Sequence, residues 1–100
     1  MDSLSRALER APELGVAHEA RGSARLGLGQ LREAARDYQR AAELDPDRAS
    51  PLWGLAECYR QLGDRRAVEV YQRYASHGGA DATPRLRELA SQRAEELRNR

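Results

Sequence analysis

Apolar residues along this chain recur at helical spacing. Between Leu31 and Ala42 they fall at Leu31, Ala34, Ala35, Tyr38, Ala41 and Ala42, one stripe of a 3.6-residue helix. Leu52, Leu55, Ala56, Tyr59 and Leu62 form a second stripe, and Ala67, Val70, Tyr71, Tyr74 and Ala75 a third. Leu86, Leu89, Ala90 and Leu97 form a fourth, with Arg and Glu on the remaining faces. No stretch sustains the two-residue alternation of a half-buried strand, so no strand is predicted. The punctuation fits helices. Ser50-Pro51 and Thr83-Pro84 each read as an N-cap followed by proline at the first helical position. Asp64 is placed to cap the helix after Gly63, while Gly29 and Gly63 are placed to end helices in a left-handed conformation. Asp45-Pro46-Asp47 and His77-Gly78-Gly79 are breaks. The pattern predicts helices at about 2–11, 13–27, 31–44, 50–62, 65–76 and 84–98. Their short loops imply antiparallel neighbours.

The chain also repeats itself. Ala7, Glu9 and Pro12 return as Ala41, Glu43 and Pro46, and Leu28-Gly29 returns as Leu62-Gly63, always 34 residues on. Gly22 is answered at the same interval by another small residue, Ala56. Gly22, Leu28-Gly29, Ala34, Tyr38, Ala41 and Pro46 in one unit resemble the tetratricopeptide repeat. So do Leu52, Leu55, Ala56, Tyr59, Leu62-Gly63, Ala67 and Tyr71 in the next. The resemblance covers residues 15 to about 77. It implies an all-α solenoid of antiparallel helix pairs, stacked because one pair cannot bury its apolar stripe alone. Residues 1–100 then form one domain: a partial repeat helix at 1–12, repeats at 15–48 and 49–81, and a capping helix at 83–98. Three features depart from the family. The turn from Gly63 to Ala67 is one residue short, which bears on the phase of the helix at 65–76. Tyr74 replaces a small residue. Arg21 and Arg25 stand where the family has Leu and Tyr, and their stems are expected to cover apolar surface while their heads reach water.

Composition narrows the function. Seventeen basic residues, all arginine, face 16 acidic ones for a net charge of +1. A dedicated nucleic-acid module would show a clear basic excess. Cys58 is the sole cysteine, which fits a reducing compartment, so a cytoplasmic setting is expected. No apolar run approaches the roughly 20 residues of a membrane span, and the N-terminal residues lack a signal-peptide core. The chain could equally be a soluble piece of a larger protein.

Nothing in the sequence assembles into a catalytic or cofactor site. Cys58 and His77 could suggest a nucleophile and base, but Cys58 neighbours an apolar stripe as a small packing residue, and His77 sits at a helix end, where a cation is welcome. His18, Cys58 and His77 share no metal-ligand spacing. Gly27-Leu28-Gly29 lacks both the Lys-Ser/Thr and the preceding strand of a phosphate loop. The arginines between Arg93 and Arg100 alternate with Glu95 and Glu96, as expected of a solvated capping helix.

The informative surface is the inner groove that the resemblance implies, lined by the first helix of each unit. It places Glu19, Ser23 and Leu26 there from one unit, and Trp53, Glu57 and Arg60 from the next. Trp53 lies about 100° round the helix from Leu52, at the edge of the apolar stripe. A large aromatic in that position is a binding anchor; the alternative is that it packs on the next helix as core. Some family members grip a C-terminal carboxylate with Lys and Asn, and that clamp is absent here. Glu19 and Glu57 would repel an acidic tail and suit an apolar or basic segment. The expected function is therefore a non-enzymatic adaptor that binds a protein or peptide partner. Homotypic assembly through the ends of the array is the alternative, and RNA binding through arginines a weaker one.

Overall fold

The structure, a computed structural model, describes residues 14–100. The helix expected at 2–11 and the partial repeat at 1–12 lie outside the described residues. Within them are five helices and no strand: α1 (Gly15–Gly27), α2 (Leu31–Leu44), α3 (Ser50–Leu62), α4 (Arg66–Ala75) and α5 (Pro84–Arg98). Each packs on the next in sequence, and α1 also reaches α3. The architecture is all-helical, as the stripes predict, and is consistent with the helix-pair array that the resemblance implies.

The two first helices, α1 and α3, end in the same way. Gly29 and Gly63 adopt φ of 79° and 72°, a region that side-chain-bearing residues resist. After α1, Gln30 N–H reaches Arg25 O at 2.8 Å and Gly29 N–H reaches Leu26 O at 3.0 Å. After α3, Asp64 N–H reaches Tyr59 O at 2.8 Å and Gly63 N–H reaches Arg60 O at 3.1 Å. This is the double closure by which a glycine satisfies the last carbonyls of a helix.

The core is built from small and large residues in alternation. Ala34, Ala41, Ala56 and Ala67 are almost wholly buried and let helices approach; Tyr38, Tyr59, Tyr71 and Tyr74 fill the space left between them. The short turn at 63–67 does not shift the phase of α4, which buries Ala67, Val70, Tyr71 and Tyr74. Asp64 Oδ1 accepts from Arg66 N–H at 2.9 Å and so caps the entry to that helix. In α5 the buried stripe is Ala90 and Ala94, one turn apart, with Leu89 and Leu97 partly covered. Leu86, expected on the stripe, is 36% exposed. The two alanines bring α5 close to α4, and Leu86 falls beyond the contact.

Three local expectations need correction. Ser50 does not cap α3; it lies within the first turn, and its hydroxyl donates to Glu19. The cap comes from a distant residue. Asp81 accepts from Ala49 N–H at 2.9 and 3.1 Å and from Ser50 N–H at 2.9 Å. Thr83, by contrast, caps α5 as expected, accepting from Leu86 N–H at 3.3 Å. His77 is not held as a helix-end cation. Gly79 N–H donates to its Nδ1 at 2.8 Å, which leaves Nε2–H to donate to Pro46 O at 2.8 Å. Both bonds suit the neutral ring. Finally, the Arg21 and Arg25 heads do not reach out to water but turn to Asp37, which is 3% exposed. Arg21 grips it with Nε and Nη2 at 2.7–3.2 Å, and Arg25 Nη1 adds a bond at 3.0 Å. A charged triad therefore joins α1 to α2 where the family has apolar packing.

Candidate functional site

Five of the six residues expected in the inner groove line one depression of about 350 Å³. α1 contributes Glu19, Ser23 and Leu26, and α3 contributes Trp53 and Glu57. Arg60 is not in the lining. It lies one turn further along α3, in a separate hollow near Gly63 and Leu97. Its guanidinium still touches the site, donating to Glu57 Oε2 at 2.7 Å.

Tyr38 forms part of the floor, and Gly54 explains how it gets there. A Cβ on Gly54 would meet the Tyr38 ring at 2.3 Å, so only glycine lets the ring slide under α3. The Tyr38 hydroxyl then hydrogen-bonds Ser23 Oγ at 2.9 Å. Trp53 is partly buried, packed on the core on one side and open to the depression on the other. Its ring packs edge-on against Tyr71 at 5.7 Å and Tyr74 at 5.1 Å between centroids, yet it also lines the groove.

Arg93 of α5 completes the wall. Its guanidinium lies 5.1 Å from the Trp53 ring centre and donates to Glu57 Oε1. Tyr71 O–H donates to the same oxygen at 2.6 Å. Both oxygens of Glu57 are thus engaged. Burial alone would raise its pKa, but hydrogen bonds from Arg60 and Tyr71, with the charges of Arg60 and Arg93, outweigh it and hold the carboxyl below its ordinary value. Glu19 is likewise occupied, by Arg48 Nη2 at 2.6 Å and by the Ser50 hydroxyl. The expectation of two free carboxylates repelling an acidic tail must be weakened: each is already neutralised from within the fold.

Sequence reasoning placed Arg93 on a solvated tail. The usable signal was its spacing: three residues after Ala90 and one before Ala94, it borders the buried stripe of α5. Tyr38 is on the apolar stripe in the sequence and Gly54 carries no signal of its own there; together they shape the groove by packing. Cys58 is fully buried, and its thiol is pushed up to about 11 by burial and by the nearby Glu57 charge, which keeps it protonated and inert at neutral pH. His77 is committed to the Pro46 and Gly79 backbone. Among the described residues no group of His, Cys, Asp or Glu has the arrangement of a metal site, and no helix is long and apolar enough to cross a membrane.

Helix pairs joined by tight turns, stacked so that their first helices line a common groove, define a helical-repeat fold. Residues 22–63 match the family model described as TPR repeat, a stretch running from within α1 to the end of α3. Over residues 22–63 the chain carries tetratricopeptide repeat sequence. A comparison with curated proteins gives no match. Domains of this family generally mediate protein–protein interaction and are typically non-enzymatic.

Proposed function

We propose that this domain is a non-enzymatic adaptor that holds a peptide or helix of a partner protein in the groove between α1, α3 and α5. The observation that carries this reading is the convergence of Leu26 and Trp53, both partly buried, with Glu19, Ser23 and Glu57 around one open depression. Leu26 and Trp53 offer an apolar anchor point. Trp53 is held on two tyrosines, so little side-chain entropy is lost when a ligand packs on it. Glu19 and Glu57 are already paired within the fold, so the apolar anchor and the shape of the depression carry most of the partner choice, with basic side chains of the partner kept to the rim.

The test uses variants that alter the groove surface. Ser23→Arg fills the depression from an exposed position, and Leu26→Glu removes the apolar anchor. Protein captured by the wild-type domain from source-cell lysate is identified, purified and titrated against each variant by calorimetry. Loss of binding in both folded variants supports the groove. Unchanged affinity in both overturns it.

Self-assembly is a second reading, favoured by Leu14, Val16 and Leu28, which are 50%, 58% and 62% exposed on or beside α1. A molar mass that rises with concentration, and falls back on Val16→Glu, would select it over the adaptor.

A further inference from the structure

A second cleft lies between α2 and α4. No Cα of α2 comes within 8 Å of one of α4. The two helices stand as walls on either side of α3, whose Leu55, Tyr59 and Leu62 face the gap. Two adjoining hollows of about 280 and 500 Å³ share Gln39, Tyr59 and Arg66 and make one continuous channel. Of the groove-lining residues described above, only Tyr38 comes from either of these helices.

The charges in this cleft are uneven. Arg32 and Arg36 project from α2 one turn apart, both exposed, and no carboxylate among the described residues engages them. Arg66 stands on the other wall and is fixed. It lies 4.5 Å over the Tyr59 ring, and its Nε and Nη2 donate to Asp64 at 2.7–3.2 Å. Its Nη1 takes part in none of these bonds. Asp64 is the one carboxylate at this end, and Arg66 already occupies it. Towards the far end the balance returns, with Glu43 and Glu69 beside Arg73. Leu62, 37% exposed, lies at the basic end.

We infer that the basic end of the α2–α4 cleft docks an acidic segment of a partner protein. Carboxylates of that segment meet Arg32, Arg36 and the open edge of Arg66, and an apolar side chain covers Leu62. Charge complementarity selects the occupant: three guanidinium groups face one internally paired carboxylate. A nucleic-acid strand fits less well. Its phosphates would run on towards Glu43 and Glu69, and the Tyr59 face that could stack a base is covered by Arg66. The site does not depend on the groove between α1, α3 and α5, because its walls belong to other helices.

The test is fluorescence anisotropy with a labelled, end-capped peptide of alternating Glu and Leu. Comparison ligands are the matching Lys and Leu peptide and a labelled oligouridine. The proteins are the wild-type chain, R32E/R36E and V16E, which adds an exposed negative charge outside both clefts, each checked for helical circular dichroism. Reversing two exposed charges is expected to weaken the Glu peptide about tenfold or more. V16E should bind it like the wild type, and affinity should fall as salt rises to about 0.15 M, where exposed charges are screened. The inference is overturned if the Glu peptide does not bind, or if R32E/R36E binds it equally. It is also overturned if the Lys peptide binds as well, or if oligouridine binds more tightly through the same arginines.

Discussion

Gly54 sets two effects of opposite sign against each other, and the structure says which should win. In the interior of an unhindered helix, replacing glycine by alanine stabilises by about 1 kcal/mol, because alanine has less backbone freedom to lose. Gly54 is buried within α3. A Cβ there would lie 2.3 Å from Tyr38 Cε1, 2.4 Å from Cζ and 2.6 Å from Cδ1. Ordinary carbon contacts are about 3.5–4.0 Å, so the overlap exceeds about 1 Å along one edge of the ring. Tyr38 has little room to retreat, being 4% exposed with its hydroxyl bonded to Ser23. Overpacking costs about 1–3 kcal/mol, and a rigid ring puts this site near 3. Set against the backbone gain, Gly54→Ala should lose about 2 kcal/mol and lower Tm by roughly 10 °C in thermal circular dichroism. Gly27→Ala is the control: a Cβ there meets nothing within 4 Å, and the variant should be no less stable than the wild type. Adding Tyr38→Leu should recover much of the Gly54→Ala loss, giving a positive coupling in the double-mutant cycle. A Gly54→Ala protein that melts at or above the wild type would refute the argument.

Asp37→Ala removes the acceptor of every Arg21 and Arg25 bond described above and leaves two largely covered guanidinium groups between α1 and α2. It should cost about 3 kcal/mol in chemical denaturation, while R21L/R25Y/D37A, which restores apolar packing, should return to within about 1 kcal/mol of the wild type. Burial pushes the Asp81 carboxyl up, but the Ala49 and Ser50 backbone bonds and the Arg48 charge outweigh it, so its folded pKa lies below the ordinary value. Its contribution to stability is therefore complete above the unfolded carboxylate pKa of about 4 and is lost as the pH falls through the lower folded value. Stability measured against pH should show a shallower acid loss in Asp81→Asn than in the wild type. Cys58, fully buried with its thiol at about 11, should react with iodoacetamide only as fast as the chain unfolds, so added urea should accelerate labelling far more than a rise to mildly alkaline pH.

Regularity separates what was legible in the sequence from what was not. The stripes of α2, α3 and α4, the glycines after α1 and α3, and the Thr83 cap are all local: spacing and backbone preference decide them within a few residues. The groove positions Glu19, Ser23, Leu26, Trp53 and Glu57 came from the repeat phase, which carries over from unit to unit. The contacts that escaped are long-range polar ones. Asp81 reaches back to Ala49 and Ser50, Arg93 reaches Glu57, and Asp37 gathers Arg21 and Arg25. Side-chain hydrogen bonding has no period, so each of these required knowing which helices are neighbours. Arg21 and Arg25 are the clearest case. Two arginines in apolar positions are a departure that calls for an acid nearby, and Asp37, on the next helix, is that acid.

These long-range bonds also determine what the groove presents to a ligand. The connection between α4 and α5 is tied back to the start of α3 by Asp81 and to the turn before it by His77. The tether helps fix where α5 runs, and α5 delivers Arg93 onto Trp53 and Glu57. The groove is therefore finished by a residue from outside the two repeats, and its carboxylates meet a ligand with their charge already answered. A partner held here as proposed would gain little from a simple salt bridge, because it would have to replace Arg60 or Arg93 at Glu57 and Arg48 at Glu19. On the proposed function, selectivity then comes chiefly from shape: the apolar anchor point at Leu26 and Trp53, and the depth that Gly54 allows by letting Tyr38 lie beneath α3.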